Sequence, residues 1–71
     1  MEYHIGFCDV IHTEQGYYVL CDADPSVYKI PWIFCKVSEE YIQKYIHDNP
    51  SATVHEFPYT MIERAIEQAK R

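Results

Sequence analysis

The chain has 71 residues, a formal net charge of -5, an apolar fraction of 48% and seven tyrosines among its 15% aromatics. A chain this short forms one small domain, residues 1–71, near the lower size limit for folding alone. Its apolar and aromatic content excludes intrinsic disorder, and no stretch has the length needed to span a membrane.

The charge is unevenly placed. Glu2, Asp9, Glu14, Asp22 and Asp24 fall in residues 1–28, which hold no Lys or Arg. Residues 29–71 balance their acids and bases. Phosphate backbones would be repelled by the N-terminal third, so nucleic-acid binding there is disfavoured. The first residues also lack the basic segment and apolar run of a secretory signal. Cys8, Cys21 and Cys35 form no even framework and no C-x-x-C pair, which points to a reduced, cytoplasmic setting.

Residues 3–12 are rich in β-branched and aromatic side chains and read as a strand. Residues 13–16 read as a tight turn, with Gly16 free to take positive φ. Residues 17–22 return as the second strand. Pairing around this turn sets His12 opposite Tyr17, Val10 opposite Val19 and Cys8 opposite Cys21. Asp24-Pro25-Ser26 forms a second turn. Residues 27–37 read as a third strand, placed at an edge or bulged by Pro31, which cannot donate to a ladder.

Ser38 caps a first helix, with Glu39 and Glu40 at its positive end. Tyr41, Ile42, Tyr45 and Ile46 form its apolar stripe, and Asp48-Asn49-Pro50 ends it. Residues 53–57 read as a short strand. A second helix follows Pro58, with capping-box spacing between Thr60 and Glu63. Its stripe is Ile62, Ala65, Ile66 and Ala69. The expected fold is α+β: a three- to four-stranded, mainly antiparallel sheet with two helices on one face, in the order β-β-β-α-β-α.

In this arrangement neither face of the sheet is polar. Cys8, Val10, His12, Tyr17, Val19 and Cys21 share one face of the hairpin. Phe7, Asp9, Ile11, Tyr18, Leu20 and Asp22 share the other. Two helices on one side would leave an apolar face open, and large apolar patches on small proteins mark interaction surfaces.

The sequence is therefore expected to be a binding module rather than an enzyme. It would act as a small acidic accessory or inhibitory protein, homodimeric or docked to a protein partner, with neither nucleic acid nor membrane. Tyr17, Tyr18, Tyr28 and Trp32 are the candidate anchors, because buried aromatics dominate interface energy. Glu14, Asp22 and Asp24 are the candidate rim that steers a basic partner. No cofactor and no metal is expected, since the cysteine and histidine spacing fits no local metal motif. The alternative is a small metal- or thiol-using protein built on Cys8, Cys21, Cys35 and a histidine.

Overall fold

The computed structural model describes residues 8–71. Its elements are β1 (Val10–Thr13), β2 (Gly16–Asp22), β3 (Trp32–Val37), α1 (Glu39–Asp48), β4 (Val54–Glu56) and α2 (Tyr59–Ala69). The fold is α+β, and the element order is the one expected. Residues 3–7 of the first expected strand lie outside the described residues.

The strands form one sheet in the order β3-β2-β1-β4. The β1–β2 hairpin has the expected register, with Val10 opposite Val19 and His12 opposite Tyr17. Gly16 closes it at φ 119°, a conformation that side chains with a Cβ rarely adopt. Thr13 secures the same turn from inside. Its hydroxyl donates to the Gly16 carbonyl, and the Gln15 N–H donates back to it, both at 3.0 Å. The ladder stops at Val10, so the expected Cys8–Cys21 pairing does not form.

β2 and β3 are antiparallel, whereas β1 and β4 are parallel. The parallel pair follows from the path of the chain. β3 lies at one edge and β4 at the other, so α1 must carry the chain across the sheet, and such crossovers join parallel strands. α2 then begins beside β4 and returns toward the β3 edge.

The helices therefore cover opposite faces, not one face as expected. Val10, Val19 and Ile42 of α1 form one core, completed by Tyr17, Val37, Tyr45 and Ile46. Ile11, Tyr18 and Ile62 of α2 form the other, completed by Phe34, Phe57, Tyr59 and Ile66. Consecutive strand residues point to opposite sides, so Val10 and Ile11 must face different layers. Apolar side chains on both flanks of the sheet need cover on both, and each face takes one helix.

Ser38 caps α1 as expected, its hydroxyl accepting the Tyr41 N–H at 3.1 Å. Thr60 and Glu63 do not form a capping box. The cap residue of α2 is Pro58, which has no side-chain acceptor. The missing acceptor comes from the hairpin turn: the Glu14 carboxylate takes the Tyr59 N–H at 3.0 Å.

The third strand is shorter than its apolar run. The strand starts only at Trp32, and residues 27–29 fold against the end of α2. The Lys29 N–H donates to the Ala69 carbonyl at 2.6 Å, and the Arg71 N–H donates to the Val27 carbonyl at 2.9 Å.

Candidate functional site

With a helix on each face, exposed apolar surface survives mainly where that cover thins. One such place is the end of the sheet where β2 finishes and β3 starts. There α2 contributes two small residues, Ala65 and Ala69, opposite the large side chains of Leu20, Trp32 and Phe34. The mismatch leaves a groove of about 200 Å³, which Ile30 and Ile33 complete. Its lining side chains are all apolar, with no acid, base or nucleophile among them. Ile30 is 48% exposed and Trp32 43% exposed, large fractions for residues of this type. Val27, on the loop that carries Ile30, is a third exposed apolar side chain.

The expected anchors divide. Trp32 lies at the groove. Tyr18 does not: it is 6% exposed and packs in the α2 core. Burial pushes its hydroxyl pKa up, and the neighbouring Tyr59 adds to the rise. Tyr17 packs in the α1 core, its ring 4.6 Å from that of His12. Tyr28 is half-buried in a bridge to Lys70, where it holds the 27–31 loop to the chain end. Strand alternation marks all four as apolar sheet or loop residues. It does not separate those under a helix from those beyond its end.

The expected acidic rim divides in the same way. Asp22 is exposed and pairs in register with Trp32, at the groove. Asp24 organises the adjoining turn. The Ser26 hydroxyl and then its N–H donate to the Asp24 carboxylate, at 2.7 and 2.9 Å, and hold its pKa below the ordinary value. Glu14 lies at the far end of the hairpin and serves as the acceptor for α2. The sequence pattern does not mark Ile30, Leu20, Phe34, Ala65 or Ala69 as site residues. The pairing of two alanines with aromatics was the available signal.

Two histidine–carboxylate pairs tie β4 to β1. His12 Nδ1 lies 2.8 Å from Glu56 Oε2, and His55 Nε2 lies 3.1 Å from Asp9 Oδ2. Asp9 also accepts the Thr53 N–H at 3.3 Å. Neither His12 nor His55 lines the groove or the shallow crevice on α1 formed by Tyr41, Lys44, Tyr45, Asp48 and Asn49.

The cysteines also differ from expectation. Cys21 and Cys35 form a disulfide between β2 and β3, with their Cα atoms 6.1 Å apart. Cys21 stands opposite Ile33 and Cys35 opposite Val19, so the bond runs diagonally on one face. Such a bond persists in oxidising surroundings, so the cysteines do not place the chain in a reducing interior. Cys8 is a free, exposed thiol beside Tyr45; burial raises the Tyr45 hydroxyl pKa first, and Cys8 adds to it. Among the described residues, no group of three His, Cys, Asp or Glu side chains could hold a metal ion. Among them too, no helix is long and apolar enough to cross a membrane.

Comparison with protein families, curated proteins and solved structures finds no match for this chain.

Proposed function

We propose that this protein is a small protein-binding module whose docking surface is the groove between β3 and α2. Ile30 and Trp32 are the anchors, Leu20 and Phe34 the floor, and Asp22 and Asp24 an acidic rim. The observation that supports this is an all-apolar groove flanked by two large, half-exposed apolar side chains. Exposed apolar clusters of this kind cost solubility and are commonly sites of association. A groove without an acid, base or nucleophile favours binding over catalysis. The rim selects a partner that presents a basic group beside an apolar one.

Paired capture tests the reading. Immobilised wild-type protein and the Ile30→Asp variant are exposed to the same native extract, after matched thermal melts show that both are folded. A partner held by the wild type and lost with the variant supports the groove. A partner held equally by both places the docking surface elsewhere. No partner, together with no self-association, overturns the proposal.

A further inference from the structure

We infer that the groove's partner is a second copy of this chain, joined edge to edge through β3; the inference rests on the groove being a docking surface. Among the described residues, β3 is the last strand on its side of the sheet. The Ala23 N–H donates to the Pro31 carbonyl at 2.9 Å, which sets the alternation along the strand. Ile33, Cys35 and Val37 turn their backbone groups toward β2, so those of Trp32, Phe34 and Lys36 point outward.

This edge is self-complementary. Pro31 bounds it on one side and the α1 cap Ser38 on the other. The outward residues are centred on Phe34. Antiparallel pairing about a two-fold axis therefore sets Phe34 against the partner's Phe34, and Trp32 against the partner's Lys36. The Phe34 pair lies on the axis and the Trp32–Lys36 contact occurs twice, as a two-fold interface requires.

The charges fit the same register. Lys36 is the one charged residue of β3, and a lone lysine on an edge ordinarily deters pairing. In the pair, the partner's Lys36 lies beside the Trp32 ring, on the face that Trp32 shares with Asp22. A Lys over an indole is favoured in itself. Asp22 stands one strand further in, about 10 Å from the partner's Lys36 between Cα atoms, within the joint reach of the two side chains. Both residues are exposed, and neither has an ion pair among the described residues. The groove lies along the same edge, where the aromatic side chains of the pair meet.

Charge reversal tests the register. The dimerisation constants of the wild type, Asp22→Lys, Lys36→Glu and the double variant are measured by sedimentation equilibrium. Each single reversal sets like charges together and weakens the dimer by about five- to tenfold; the double variant recovers most of that loss. Matched thermal melts exclude unfolding as the cause. A wild type that stays monomeric at every attainable concentration overturns the inference, as does a dimer indifferent to both reversals. An indifferent dimer that Ile30→Asp still disrupts overturns the edge-to-edge pairing and leaves the groove as the docking surface. A dimer that Ile30→Asp also leaves intact overturns both.

Discussion

Val10 and Ile11 are neighbours in sequence and both are 0% exposed, yet they serve different cores. Val10 packs against Ile42 of α1, and Ile11 packs against Ile62 of α2. The four residues of β1 thus lie at the centre of a three-layer arrangement, with a helix above and a helix below. That arrangement explains the apolar strands without an open face. It confines the remaining exposed groove to the end where α2 offers alanines.

If each face depends on its own helix, neither helix is dispensable. Ile42→Ala and Ile62→Ala should each lower the unfolding free energy by about 2–4 kcal/mol, the usual cost of truncating a buried isoleucine. Tyr41→Ala, on the exposed side of α1, should change it by less than about 0.5 kcal/mol. Urea denaturation measures all three. Comparable losses for the two isoleucines are expected; a null result at Ile62 would mean that α2 does not hold its face.

Glu14 should behave as a helix cap and not as a contact for partners. Its carboxylate substitutes for the side chain that Pro58 lacks. Glu14→Ala and Ser38→Ala should each cost about 0.5–1 kcal/mol, since each removes an acceptor at a helix N-terminus. Thermal melts give the two values. Partner capture should be unchanged in Glu14→Ala.

Alkaline pH should weaken the fold partly through Tyr18. Its folded pKa is raised above the ordinary tyrosine value by burial and by Tyr59. The raised value means that the neutral phenol is favoured in the folded state. Its contribution is fully present below the unfolded pKa and is lost as pH rises through the folded one. Stability measured in urea between about pH 9 and 11 should fall, and fall less steeply in Tyr18→Phe. Equal slopes would show that Tyr18 ionises as freely in the fold as out of it.

Reduction should loosen the β2–β3 pair. The Cys21–Cys35 bond closes a loop with a sequence separation of 14, and loops of this size typically contribute about 2–3 kcal/mol. A reductant should lower the melting temperature of the wild type and leave Cys21→Ser/Cys35→Ser unaffected. Thiol titration before reduction should count one accessible thiol, that of Cys8.

Much of the fold was legible from local signals. The hairpin register came from Gly16 and the alternation around it, and α1 from Ser38 and its stripe. The non-local features were hidden for a common reason. The parallel β1–β4 pair, the separation of the helices and the diagonal disulfide depend on how distant segments meet, and no residue pattern within one element encodes that. Pro31 did signal a defect in the third strand. It did not show that residues 27–29 would be drawn off to the end of α2. The candidate site was legible only at Trp32, Asp22 and Asp24. Tyr17 and Tyr18 carry the same residue type and the same alternation as surface anchors, and a helix above each makes the difference.

The most direct measurement uses Trp32, the one tryptophan of the chain. Its fluorescence, quenched by acrylamide, is followed as the protein passes from dilute solution to saturation with its partner, a second copy at high concentration included. Docking at the groove predicts that quenching falls in step with complex formation, as the indole leaves water. A complex that forms while Trp32 stays as quenchable as before, or no complex at any concentration, would contradict it.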